Sequence, residues 1–144
     1  MTLVVRDLHT CDVGPMVALR ASDAAECALL GMTPREAIIA SIEASDECWV
    51  MEDDGEPLVY GGLRRMMLAG TVHVWMLGTE AALDYSVAVA RMGRRAVRAA
   101  LREANAITVT VARDNIEGIR WAEWLGFRPA ASFHPFIEYR KDNF

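Results

Sequence analysis

A stretch of 22 residues with one apolar face, DYSVAVARMGRRAVRAALREAN (84–105), lies between two runs rich in β-branched residues, TVHVWML (71–77) and AITVTVA (106–112). No other feature constrains the chain as much. Val89, Gly93, Ala96, Val97, Ala100, Leu101 and Ala104 recur at helical spacing, so the segment predicts a long helix that buries this stripe. A strand, a crossover helix and a second strand form a parallel pair, because a short turn cannot return the chain to run the same way. The chain is therefore expected to be an α/β protein with at least one parallel pairing.

The flanks set the rest of the order. TLVVRDL (2–8) reads as a first strand. From Asp12 to Ser45 the pattern turns helical in three pieces: DVGPMVALRA, SDAAECALLG ending at Gly31, and TPREAIIASIEAS. The last has Thr33 as N-cap, Pro34 at the first position and Glu36 closing a capping box, with Ile38, Ile39 and Ile42 as its apolar face. ECWVMED (47–53) and LVYGGLRRM form a hairpin around DDGEP. Beyond residue 112, DNIEGIRWAEWLGFRPA (114–130) reads as a capped helix, a stop at Gly126 and a strand entry, before a closing pair FRPAASF and FIEYRK. The order β, three short helices, β-β-β, long α, β, α, β-β predicts a mixed, mostly antiparallel sheet flanked by helices. Residues 1–144 suffice for one domain with one core.

Several classes are disfavoured. The N-terminus has no basic stretch followed by an apolar run, so no signal peptide is expected. The most apolar window, MMLAGTVHVWML, is too short to span a bilayer, and a soluble protein is expected. Cys11, Cys27 and Cys48 lack metal or disulfide spacing and read as small buried thiols in a reduced intracellular setting. His9 and His134 sit apart without ligand spacing, and no metal is assigned.

The element order, with Asn115, Gly118-Ile119 and Leu125-Gly126-Phe127, resembles the GNAT fold of acetyl-CoA-dependent N-acetyltransferases. The resemblance implies two chemical sites. One is a loop of the form Gln/Arg-x-x-Gly-x-Gly/Ala before the long helix, whose amides hold the coenzyme's pyrophosphate at the positive end of the helix dipole. With Gly93 as the second glycine, Ala88 and Arg91 occupy the other two places; with Ala88 there, Leu83 and Ser86 do. Neither register fits. Glu80 and Asp84 near the helix start suit the dipole and repel a diphosphate, so they are expected to cap the cradle. The second site is a tyrosine seven residues after the motif's Asn, which protonates the departing thiolate; that position is Ala122.

A narrower resemblance covers nearly the whole chain. ECALLGMTPREAIIASIEASDECWVMEDDGEPLVYGG, VWMLGTE and ARDNIEGIRWAEWLGF, in this order, look like a family of GNAT-fold proteins from tailed phages and prophages that includes the small internal virion protein of short-tailed phages. It implies a virion component, present in the host cytoplasm during assembly, which contacts portal, tail or internal proteins and needs no cofactor.

Charge gives that reading a surface. Residues 1–60 carry 12 acids against three arginines, net −9, while residues 61–144 carry eight acids against 11 arginines and Lys141, net +4. Arg91, Arg94, Arg95, Arg98 and Arg102 line one face of the long helix, and with Trp121 and Trp124 they form the candidate partner interface. A solvated helix face is the plain alternative. Overall acidity disfavours nucleic acid as the main ligand, since such binding rests on phosphate neutralisation. Glu43, Asp46, Glu47, Glu52, Asp53, Asp54 and Glu56 form an acidic rim that either meets the arginine face of another copy in a ring or keeps a loop solvated. His73 alternates with Val72 and Val74 as a half-buried sheet residue, and Trp49 and Trp75 read as core.

The expectation is thus a non-catalytic GNAT-fold virion or assembly protein with no catalytic or cofactor-binding residues. The alternative is an N-acetyltransferase with a degenerate phosphate loop, for which acetyl-CoA is the cofactor. A third reading, a small-molecule binding module, needs an apolar pocket near Met76 and Val109.

Overall fold

The computed structural model describes residues 2–143. Seven strands make one sheet: β1 (Leu3–Asp7), β2 (Glu47–Asp53), β3 (Glu56–Met66), β4 (Thr71–Gly78), β5 (Ala106–Ala112), β6 (Arg128–Phe133) and β7 (Phe136–Asp142), in the spatial order β1-β2-β3-β4-β5-β7-β6. Every pairing is antiparallel except β4 with β5. The crossover that makes this pair parallel is the helix α3 (Ser86–Leu101).

Helices cover both faces. On one side α1 (Ala21–Leu29) and α2 (Pro34–Ala44) pack Cys27, Ala37 and Ile38 onto Val50 and Tyr60, with Trp75 and Leu77 alongside. On the other side α3 and α4 (Ile116–Trp124) pack Val97, Ala100 and Ala122 onto Val72, Ile107, Val111 and Tyr139. The α2 cap is as the sequence predicts: Glu36 N–H donates to Thr33 Oγ1 (3.2 Å) and Thr33 N–H donates to Glu36 Oε1 (3.0 Å). Asn115 caps α4 by accepting from Gly118 N–H (2.9 Å), and Gly126 ends it with φ +96°, a left-handed value that favours glycine.

The three predicted N-terminal helices become two. Apart from a 3-10 turn at Thr10–Asp12 and Ala21, where α1 begins, DVGPMVALRA is not helical. Gly14-Pro15 interrupts the pattern, and the chain instead continues the sheet past the end of β4. Leu19 bridges Thr79, Arg20 N–H donates to Gly78 C=O (2.9 Å), and Glu80 N–H donates to Ala18 C=O (3.0 Å). Tertiary hydrogen bonds override a weak local propensity here.

The long helix is also shorter than its apolar pattern. Residues Glu80–Tyr85 wind as a 3-10 helix, and α3 proper begins at Ser86. Its buried residues are Met92, Gly93, Val97 and Ala100. Gly93 is fixed by α4: a methyl group at this position would overlap the Trp121 ring. In an unobstructed helix Gly→Ala gains up to about 1 kcal/mol. At Gly93 the overlap outweighs that gain, so Gly93→Ala is expected to lower the melting temperature, with a net loss of about 1–3 kcal/mol in chemical denaturation. A more stable variant would show that the two helices separate at no cost.

Candidate active site

The parallel pair is brief. Strand β4 meets β5 at Thr71↔Ala106, Val72↔Ile107 and His73↔Thr108, and there the pairing ends although both strands continue. Gly78 points its N–H and C=O away from β3, toward Asp23 and Arg20. Backbone direction alternates along a strand, so Met76 points its N–H and C=O the same way, into the gap that β5 has left.

A cavity of about 430 Å³ fills the gap and reaches both faces of the sheet. On the α3 side its walls include Val89, Gly93, Val97 and Trp121; on the α1 side they include Leu30, Trp75, Leu77 and Phe136. Met76 and Val109 line it, as the binding-module reading requires. Ala122, in the place where the resemblance to N-acetyltransferases implies a tyrosine, is a buried part of the wall, and among the described residues no tyrosine lines the cavity.

Two carboxylates on α1 close the open ends of the diverging strands. Asp23, 3% exposed, accepts from Gly78 N–H at the end of β4 (2.8 Å) and from Arg20 Nε and Nη2 (3.0 and 2.8 Å), all through Oδ2. Glu26 accepts from Ala112 N–H at the end of β5 (2.7 Å) and from Asn115 Nδ2 (2.8 Å), both through Oε1. Gly78 is needed because Arg20 lies over it: an added Cβ would sit 2.7 Å from Arg20 Nε. Burial pushes the Glu26 carboxyl above its ordinary value, against the opposing pull of the Ala112 and Asn115 donors. Neither acid was singled out in the sequence. Their signal was the i, i+3 spacing in SDAAECALLG, with Asp23 and Cys27 one turn apart on the buried face.

The acids that the sequence does single out behave differently. No side chain caps α3 at Tyr85, its first turn holds no acid, and neither Glu80 nor Asp84 hydrogen-bonds to it among the described residues. Neither acid therefore caps α3 as expected: the 3-10 turn ends at Tyr85 and leaves Asp84 one residue before the N-cap. Tyr85 instead donates its hydroxyl to Asp53. Much of the acidic rim is also engaged internally: Glu52 with Arg6, Glu47 with Arg65, Asp46 with Arg65 N–H, and Asp53 with Thr2 N–H.

The arginine face divides in two. Arg91, Arg94, Arg95, Arg98 and Arg102 are all exposed and enter no ion pair among the described residues, since Glu103 pairs with Arg65. Arg91 and Arg94 join Trp124, Ser86, Val87 and Ala90 around a shallow hollow at the start of α3. Arg94 stacks on the Trp124 ring, 4.5 Å from its centroid. Trp124 is half exposed, whereas Trp121 packs inward against Gly93. Arg95, Arg98 and Arg102 lie outside the hollow.

His73 lies at the last parallel pair, its Nδ1 2.9 Å from Thr108 Oγ1, and burial holds its pKa down. Trp75 donates to Ser45 Oγ (2.8 Å). Cys27 is buried and its thiol is pushed up to about 11, which makes it a poor nucleophile; Cys11, contrary to expectation, is exposed. The described residues hold no group of three or more metal-ligating side chains, and no helix is long and apolar enough to cross a membrane.

The splayed parallel pair between two helical layers identifies the architecture. It is the GNAT acetyltransferase fold. No protein-family model matches the chain, and no curated protein matches it in sequence. Solved structures match over its full length. A candidate phosphinothricin N-acetyltransferase superposes with a TM-score of 0.74 at 15% identity, covering 99% of both chains. An aminoglycoside acetyltransferase in complex with coenzyme A gives 0.69 at 15%, over 98% of this chain and 95% of that one. A candidate acetyltransferase from Salmonella typhimurium with its cofactor acetyl-CoA gives 0.63 at 14%, over 99% and 94%. At such identities the likeness concerns the fold. None of these three is described as a phage or virion protein.

The raised Glu26 pKa has a consequence for stability. A group held toward its neutral form adds stability below its ordinary value of 4.5 and loses it as pH rises through the folded value. Glu26→Gln removes this loss. Urea denaturation at pH 4 and pH 7 should therefore show the variant gaining on the parent as pH rises; the opposite trend would mean that the ionised carboxylate is the favoured form.

Proposed function

We propose that the protein is an acetyl-CoA-dependent N-acetyltransferase. The observation that carries this reading is the cleft between β4 and β5, which passes through the sheet and exposes the backbone of Met76 on its wall. Each part of the cosubstrate has a matching surface. The apolar cleft suits a thin acyl-pantetheine arm. The first turn of α3 begins without a side-chain cap or an acid, and the positive end of a helix suits a diphosphate. Arg91 and Arg94 add positive charge at that end, and the Arg94–Trp124 stack offers a flat surface to a purine. Leu83, Ser86 and Ala88 take the cradle places, since Ala88 falls in the first turn of α3 and Gly93 deep within it. Their side chains narrow the cradle; they do not remove its amides.

Acetyl-CoA supplies an activated acyl carbon. Met76 N–H is oriented to donate to the thioester oxygen as charge gathers there. Carboxylates of α1 lie on the acceptor side of the cleft. The cleft lacks a phenol, so the nitrogen gives up a proton to the departing thiolate as the N–C bond forms and the C–S bond breaks. The products are an amide and the free thiol.

The rival reading, a non-catalytic virion or assembly protein, draws its support from Arg95, Arg98 and Arg102, which lie outside the hollow and without ion pairs. Partner proteins and a location in the particle belong to that reading alone. Calorimetric titration with acetyl-CoA separates the two. One site of micromolar affinity is expected, weakened about tenfold (~1.4 kcal/mol) in Arg94→Ala and in Trp124→Ala. Absence of binding at millimolar acetyl-CoA would overturn the enzyme reading.

A further inference from the structure

On the α1 side, the cleft carries little charge. Four charged residues line it: Arg20, Asp23, Glu26 and Glu117. Arg20 and Asp23 form an ion pair, and Glu117 is exposed at the start of α4, where Ser22 Oγ donates to it (3.3 Å). Glu26 is thus the partly buried charge without a counter-ion. Its Oε1 holds the fold together; its Oε2 accepts no hydrogen bond from the protein. Asp23 repeats the arrangement, with Oδ2 fully used and Oδ1 free. No fully buried side-chain polar atom lacks a partner among the described residues, so Asp23 Oδ1 keeps access to solvent although the residue is 97% buried. Leu30, Trp75, Leu77 and Phe136 make the surrounding wall largely apolar, and besides the carboxylates and Arg20 its titratable groups are His73, whose Nδ1 lies 2.9 Å from Thr108 Oγ1, and the Cys27 thiol.

Building on the acetyltransferase reading, we infer that the acceptor is a primary amine on a compact apolar body of aromatic size, with its ammonium held by Glu26 Oε2 and Asp23 Oδ1. With Glu117 exposed to solvent, the less exposed group of Arg20, Asp23 and Glu26 carries one net negative charge, which matches one ammonium. A polyamine or aminoglycoside would bring several cations to a wall that neutralises one, and each remaining cation would lose water without gaining a partner. The aromatic and aliphatic side chains instead reward an apolar body. Glu26 takes one proton from the ammonium and releases it to water. The neutral nitrogen then attacks the acyl carbon, and its second proton leaves with the thiolate as the free thiol.

The test uses the full chain with 2-phenylethylamine, spermidine and kanamycin. Two readouts are independent: calorimetric binding of each amine to the free protein, and thiol release from acetyl-CoA. Expected are binding of 2-phenylethylamine, a kcat/KM for it at least about tenfold above that for spermidine or kanamycin, and loss of about tenfold in amine affinity in Glu26→Gln. Glu26→Gln should also flatten the rise of kcat/KM with pH, and Glu26→Asp should restore part of it. Thermal denaturation confirms that each variant is folded. A preference for spermidine or kanamycin, or unchanged amine affinity and pH profile in folded Glu26→Gln, would overturn the inference. If acetyl-CoA fails to bind while 2-phenylethylamine still binds in a Glu26-dependent way, the amine pocket stands and the acetyltransferase reading falls.

Discussion

Everything at the site depends on a parallel pairing that stops after three residue pairs. A β4 that stayed zipped to β5 would have no cleft, and an unsupported divergence would leave two strand edges with buried, unpaired amides. Each such orphan costs about 1–3 kcal/mol. The chain meets this cost from outside the sheet. Asp23 takes the Gly78 amide and Glu26 the Ala112 amide, from one face of a single helix. Helix α1 thereby acts as a wedge that keeps the strands apart and satisfies them at once. Arg20 and Asn115 complete the arrangement, one neutralising Asp23 and the other donating to Glu26 while capping α4. The same residues hold the fold open and line the opening.

The α3 side of the cleft follows a different logic. Between β4 and α3 the backbone tightens into a 3-10 turn, which keeps Glu80 and Asp84 out of the first turn of α3 and delivers Ser86 to the first position. Tyr85 fastens that turn to Asp53 at the tip of the neighbouring hairpin. The start of α3 is then flanked by the exposed side chains of Arg91 and Arg94. Specificity for a diphosphate needs amides and charge; glycine only allows closer approach.

Much of the architecture was legible in the sequence. The β-α-β block at 71–112, the hairpin, the cap at Thr33 and a cap at Asp114 or Asn115 are local patterns whose physics lies within a few residues, and the structure keeps them, with Asn115 as the second cap. Failures came where distant segments decide. DVGPMVALRA reads as helix by composition, yet pairs beyond β4 because Leu19 and Arg20 meet Thr79 and Gly78, roughly 60 residues away in sequence. The acidic rim reads as a free surface, yet Arg6 and Arg65 fold back onto it. The arginines of α3 read as a uniform stripe, yet Trp124 on another helix draws Arg94 to one end of it.

The carboxylate plug is the most instructive miss, because it turned a question about backbone into one about side chains. Motif matching asks which residue types stand in the loop and finds Leu83, Ser86 and Ala88 where glycines are expected. A helix terminus presents the same N–H groups whatever its side chains, provided nothing else accepts from them. In this chain the deciding fact is the position of a helix start, two residues past Asp84, and no residue type announces it. A degenerate loop motif therefore says how closely an anion can approach, not whether donors are there to receive it.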